Sequence, residues 1–131
     1  MKTVLDSRFI MEYFYSDEVE TKQKATKKLK DLLQRKDGIL PTIVIGEVVQ
    51  AICEQLGKEE AEIFYVNLTQ SDLIQVLSSQ IAKHAGLLRC KYRNVPMGDC
   101  IIAATAIANQ AAVLSDDPHF DAIEETKRIW I

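Results

Sequence analysis

Pro96-Met97-Gly98-Asp99-Cys100-Ile101-Ile102-Ala103-Ala104-Thr105-Ala106-Ile107-Ala108-Asn109-Gln110-Ala111-Ala112-Val113-Leu114-Ser115-Asp116-Asp117 sets the architecture of this chain. Its Pro and Gly make residues 94–98 a loop. Residues 99–110 are apolar nearly all round, the pattern of a helix buried on every side. Residues 111–115 are a short apolar run, read as a strand, and 116–118 are a turn. A buried helix that feeds a buried strand is one unit of a parallel sheet with both faces covered. One acid opens the helix and another follows the strand.

The same alternation extends outward in both directions. Toward the N-terminus, residues 2–5 read as a buried strand, and 7–15 and 18–36 as helices. The second helix carries Leu29, Leu32 and Leu33 on one side and lysines on the other. Asp37-Gly38 ends it, and Ile39-Leu40 starts a second strand. Pro41-Thr42 opens a helix whose apolar positions Ile45, Val48, Val49, Ile52, Cys53 and Leu56 follow the i, i+3, i+4 spacing. Gly57 is its natural stop. A helix over 58–70, a third strand over 73–77 and a helix over 79–92 follow. Toward the C-terminus, residues 127–131 read as an edge strand. The expectation is one α/β domain spanning residues 1–131, with no repeat, linker or low-complexity tract.

Composition narrows the class. A chain of 131 residues fits one domain. An apolar share of 47% is that of a globular protein. The formal charge of −3 announces no global attraction to nucleic acid. Locally, Lys22, Lys24, Lys27, Lys28 and Lys30 crowd one segment, and Arg89, Lys91 and Arg93 another. Each cluster is either a solvated helix face or a phosphate-steering patch. Cys53, Cys90 and Cys100 are odd in number and match no zinc spacing, and Cys53 and Cys100 read as small core residues. With no apolar run of membrane-spanning length and no signal peptide, the expected location is the cytoplasm, away from membranes.

Four acids sit at the joints between apolar segments: Asp6, Glu47, Asp99 and Asp117. Taken singly, each has a local explanation. Asp6 and Asp99 suit helix N-caps, Glu47 a helix start, and Asp117 a turn before Pro118. Taken together they share one predicted edge of the sheet. Ligands of open α/β sheets bind outside the carboxyl ends of the strands, where the strand order reverses. If strands one and four are neighbours, all four acids line one crevice. Glu47 tips the balance, because it lies among Ile43, Val44, Ile45, Val48 and Val49, where a capping explanation works poorly.

Burying several carboxylates together needs a compensating cation. An oxygen-rich donor set suits Mg²⁺ or Mn²⁺ rather than zinc. Such ions borrow phosphate oxygens, which points to phosphodiester chemistry without a protein nucleophile. No Ser-His-Asp arrangement or GxSxG is present to suggest another route. Around the quartet, Arg8 suits a phosphate or a salt bridge to a nearby acid. Ser115 suits a hydrogen bond to a carboxylate or a bound water, and Asp116 is a fifth, peripheral acid or a turn residue. His119 sits beside Asp117, within reach of a substrate or simply at the surface, whereas His84 reads as a structural or surface residue. Phe120 and Trp130 read as core.

These motifs resemble those of the PIN-domain ribonucleases, and among them the VapC-type toxins. Val4-Leu5-Asp6-Ser7 is similar to the first motif of that family and Ile45-Gly46-Glu47-Val48 to the second. Gly98 to Ala106 is similar to the third, and Leu114 to Phe120 to the fourth, with Ser115 in place of the usual threonine. The resemblance implies a PIN-like three-layer α/β/α sandwich with a five-stranded parallel sheet. It implies catalytic and metal-binding roles for Asp6, Glu47, Asp99 and Asp117, a Mg²⁺ or Mn²⁺ cofactor and an RNA substrate. A homodimer and a cognate antitoxin partner are implied as well. Arg8 departs from the family, which commonly has a small polar residue there. Two other readings stand beside this one: a PIN-like RNA-binding or assembly subunit without cleavage, and a response-regulator module. The second needs an acidic pair near the first strand, and here Asp116-Asp117 lies near the other end.

Overall fold

The computed structural model describes residues 1–131. Five parallel strands form one sheet in the order β3-β2-β1-β4-β5. The strands are β1 (Thr3–Leu5), β2 (Gly38–Pro41), β3 (Ile74–Gln75), β4 (Ala112–Leu114) and β5 (Arg128–Ile129). The helices are α1 (Ser7–Tyr15), α2 (Val19–Arg35), α3 (Thr42–Leu56), α4 (Lys58–Leu68), α5 (Ser79–Lys91) and α6 (Met97–Ala108). Every residue of β1, β2 and β4 is buried. Successive strand residues face opposite sides, so unbroken burial means that both faces are covered. That is the three-layer α/β/α arrangement. The order also differs from the 2-1-3-4-5 order of response regulators, which removes that alternative.

The strand order reverses between β1 and β4, which pair as Thr3↔Ala112, Val4↔Val113 and Leu5↔Leu114. Asp6 and Ser115 therefore leave the sheet side by side. The backbone N–H of Asp6 also donates to the Leu114 carbonyl at 3.3 Å, extending the pairing one residue past the strands. Helix α6 supplies the centre of the core, with Cys100 and Ile102–Ala106 all buried. Its alanines carry almost no side-chain bulk, so the helix can lie close to its neighbours. Phe9, Phe120, Leu5, Ile10 and Ile52 are the large side chains that fill the remaining space.

Several boundaries differ from the sequence reading. Helix α6 begins at Met97, so Pro96 is its N-cap and Asp99 stands inside the first turn. The loop expected over 94–98 is shorter, because Pro sets a backbone dihedral that suits a helix start. Strands β3 and β5 keep only two residues each, since edge strands have one hydrogen-bonded neighbour. On α3 the buried stripe is Val44, Val48 and Ile52, whereas Cys53 and Leu56 are exposed. Cys53 is thus not a core residue. An apolar helix offers more than one plausible stripe, and only packing selects among them. The short 3₁₀ segment Pro118–Ala122 replaces a plain turn. Trp130 is half-buried and meets the ring of Phe9 edge-on, with centroids 6.4 Å apart.

Candidate active site

Four carboxylates come from four different elements. Asp6 follows β1, Glu47 lies on α3, Asp99 in the first turn of α6, and Asp117 heads the 3₁₀ segment after β4. Asp6 occupies the N-cap position of α1, yet its side chain caps nothing. Its Oδ2 instead accepts from the Ser115 hydroxyl at 2.6 Å, across 109 residues of chain. Ser7 Oγ lies 3.4 Å from Oδ1. The Ser115 hydroxyl oxygen in turn accepts from the Asp117 N–H at 3.0 Å. One buried hydroxyl therefore ties the first acid to the backbone of the last.

Asp117 is a cap: its Oδ1 accepts from the His119 N–H at 2.9 Å. The His119 ring then folds back, with Nδ1 3.1 Å from both Asp99 Oδ2 and Asp117 Oδ1. These three side chains form a compact group with metal-ligating potential. Glu47 completes the constellation from the other side. Its Oε1 is buried and has no hydrogen-bond partner, which is rare for a buried polar atom. Its Oε2 packs against Gly98, where an added Cβ would come within 2.9 Å.

The electrostatics register this crowding. Glu47 is pushed up to about 7, first by burial and then by repulsion from Asp6 and Asp99. Asp99 is pushed up to about 6 by burial and by Asp117 and Asp6, with His119 opposing. Asp6 is raised by burial, while the Ser115 hydrogen bond pulls it back. Asp6, Glu47 and Asp99 are thus each disfavoured in the ionised form by a neighbouring carboxylate, the mark of like charges sharing a site.

At the rim two arginines are each paired with an acid. Arg8, on the first turn of α1, forms an ion pair with Asp116. The partner of Arg8 is thus the peripheral acid, not one of the four. Arg8 and Asp116 border a cavity of about 260 Å³ that Ser7, Glu12 and Glu47 also line. Farther out, Arg128 donates to the Ser115 carbonyl at 3.1 Å and grips both oxygens of Asp121 at 3.0 Å. That fork anchors the segment carrying Ser115. His84 lies half-buried on α5 and makes no hydrogen bond or ion pair with these residues.

A family model described as PIN domain matches residues 3–125, nearly the whole chain. The chain belongs to the PIN domain family. Solved structures agree on the fold. This PIN domain is 19% identical to a chain of VapBC2 from Rickettsia felis, bound to a DNA fragment from their promoter. That likeness has a TM-score of 0.76 and covers 100% of this chain and 99% of that one. A chain of DNA-bound VapBC from Salmonella typhimurium gives a TM-score of 0.79 at 16% identity, with 99% and 98% covered. VapC20 from Mycobacterium tuberculosis, a Sarcin-Ricin loop cleaving toxin, gives 0.70 at 16%, with 94% and 95% covered. Among curated proteins there is no significant match to this PIN domain.

Two features of the site had no local signal in the chain. Gly98 has no positive φ to explain it, and its closeness to Glu47 depends on how α6 and α3 meet. The bridging position of His119 depends on α6 and the 3₁₀ segment lying side by side. Its proximity to Asp117 in sequence is visible; its proximity to Asp99 is not.

Proposed function

We propose that this protein is a Mg²⁺- or Mn²⁺-dependent endoribonuclease and the toxin of a type II toxin–antitoxin pair, working in the cytoplasm. The observation that carries the reading is the buried, partnerless Oε1 of Glu47 beside the carboxylates of Asp6 and Asp99. A cluster of this kind fits a divalent cation, because an oxygen-seeking ion would satisfy the orphan atom and offset the repulsion. Membership of the PIN domain family supports the nuclease assignment. The likeness to VapBC chains and to a toxin that cleaves the Sarcin-Ricin loop supports the toxin assignment and an antitoxin partner. No helix is long and apolar enough to cross a membrane.

Asp6, Glu47, Asp99 and Asp117 would hold the ion. When bound, it supplies activation of a water and stabilisation of the leaving oxygen in an in-line displacement at phosphorus. The chain's own residues prepare that reaction. Ser115 holds Asp6 in one orientation through its hydroxyl. His119 steadies Asp99 and Asp117 against each other. Arg8, at the rim, offers a guanidinium to a phosphate flanking the scissile bond once it parts from Asp116. Ser7 and Ser115, the hydroxyls at the site, both donate to Asp6 rather than to a histidine base, and water is the nucleophile in this reading. A homodimer belongs to the same reading.

A cleavage assay on a defined tRNA and rRNA panel, with and without Mn²⁺, tests it beside Asp99→Asn. The expected result is specific cutting by the parent protein that needs Mn²⁺, falling at least about a hundredfold in the variant. RNA binding by both proteins with cutting by neither would favour a non-cleaving RNA-binding subunit instead.

A further inference from the structure

A second surface of the molecule has the opposite charge. Lys24, Lys27, Lys28 and Lys30 line an open groove of about 580 Å³ on α2, closed on one side by Ile131. The groove is a concentration of positive charge on a protein whose formal total is −3. The lysines differ in what they are already doing. Lys22 lies on the same helix but donates to the Phe14 carbonyl at 3.4 Å, and Lys24 pairs with Glu20 at 3.3 Å. Asp31, the acid in the groove, is taken up by Arg35 at 3.2 Å. Lys27, Lys28 and Lys30 have no carboxylate partner within salt-bridge distance, and two of them, Lys27 and Lys30, are exposed.

We propose that this groove on α2 is a track for the RNA phosphate backbone, using Lys27, Lys28 and Lys30 to hold a strand whose scissile phosphate lies at the acidic site. The proposal rests on the ribonuclease reading and adds where the substrate is held. Without its cation the acidic site repels a polyanion, since Asp6, Glu47, Asp99 and Asp117 converge there and Arg8 is taken up by Asp116. Attraction has to come from a neighbouring surface. The groove is near enough to serve. The Ser115 N–H donates to the Ile129 carbonyl at 3.0 Å, and Ile131 is two residues farther on. Two extended residues reach about 7 Å, so one wall of the groove begins a few nucleotides' reach from Ser115. Lysines are suited to this task because an ammonium binds phosphate as a point charge, without demanding one geometry or base sequence.

The test measures binding of a single-stranded RNA of about twenty nucleotides by fluorescence anisotropy in EDTA, across a salt series. It compares the parent with Lys27→Ala/Lys28→Ala/Lys30→Ala and with the charge-matched control Lys2→Ala/Lys58→Ala/Lys83→Ala. Circular dichroism and thermal unfolding check that the variants fold, as substitutions at solvent-facing lysines should allow. The groove variant is expected to bind about tenfold more weakly, with its log–log salt slope reduced by about 2 for three lost contacts. The control should change far less. Hydrolysis of bis(p-nitrophenyl) phosphate with Mn²⁺, a substrate too small to span both surfaces, should be the same in parent and groove variant. Equal losses in groove variant and control would overturn the track, as would unchanged binding in the groove variant. Binding of polyglutamate but not RNA by the parent would assign the groove to an acidic protein and overturn it too. If RNA binding follows the groove while the parent hydrolyses no phosphodiester, the track stands and the nuclease reading fails.

Discussion

The Ser115 hydroxyl donates to Asp6 Oδ2 at 2.6 Å inside the protein, joining the ends of two neighbouring parallel strands. Ser115 is fully buried and Asp6 nearly so. The bond therefore stabilises the fold and aims the carboxylate at once. It also offsets part of the desolvation that raises Asp6. Ser115→Ala removes the donor and leaves a buried carboxylate oxygen short of a partner. The expected cost is about 1–3 kcal/mol in urea unfolding at neutral pH, with weaker Mn²⁺ binding by calorimetry. Ser115→Thr keeps the hydroxyl and should retain most of both. An alanine variant as stable as the parent would mean the bond contributes nothing net.

Stability of the metal-free protein should fall as pH rises from about 4 to about 7. Glu47 moves from 4.5 to about 7 on folding, and Asp99 from 3.8 to about 6. For a carboxylate raised in this way, the native state binds more protons than the unfolded chain across that window. The stabilisation is thus complete below the unfolded values and disappears as pH passes the folded ones. Each group contributes at most about 1.4 kcal/mol per pH unit, and solvent screening of these partly exposed carboxylates brings the combined slope to about 1–2 kcal/mol per pH unit. Glu47→Gln should flatten the upper part of the window, and saturating Mg²⁺ or Mn²⁺ should reverse the loss at neutral pH. Urea denaturation at a series of pH values reads all three. A flat profile in the metal-free parent would contradict the crowding of charge at this site.

Gly98→Ala should separate function from stability. The new Cβ would meet Glu47 Oε2 at 2.9 Å, too close to tolerate without moving the carboxylate. Elsewhere the methyl group costs nothing, and alanine favours a helix over glycine by up to about 1 kcal/mol. The variant is expected to melt no lower than the parent while binding Mn²⁺ about tenfold more weakly, because a ligand has been displaced. Parallel thermal-shift titrations with and without Mn²⁺ would show it. Equal Mn²⁺ affinity in the two proteins would mean that Glu47 tolerates the intrusion.

Lys36 ends α2 in the left-handed region, with φ 56°, a conformation that carries a steric penalty for any residue with a Cβ. Its N–H donates to the Leu33 carbonyl at 3.3 Å, and the next N–H, of Asp37, donates to Leu32 at 3.0 Å. This is the position where glycine is favoured. Lys36→Gly should therefore stabilise the protein by about 0.5–1 kcal/mol in chemical unfolding and leave catalysis untouched. A loss of stability would show that the added freedom of the unfolded chain outweighs the relieved strain.

The α/β alternation, the five strands and the placement of acids at segment joints were all legible in the sequence. They rest on local rules: unbroken short apolar runs give strands covered on both faces, and a 3.6-residue period gives helices. Asp6 and Ser115 could be assigned to the ends of strands without any coordinates, because strand ends follow from where an apolar run stops. Tertiary structure decided the rest. It selected Val44, Val48 and Ile52 as the buried stripe of α3 and left Cys53 in solvent. It started α6 at Met97, set Gly98 against Glu47, and turned His119 between Asp99 and Asp117. It also left Lys27, Lys28 and Lys30 unpaired beside Ile131. A period records which way a residue faces along its own element, whereas a contact between elements depends on how their side chains interlock. That second kind of information exists only once the whole chain has packed.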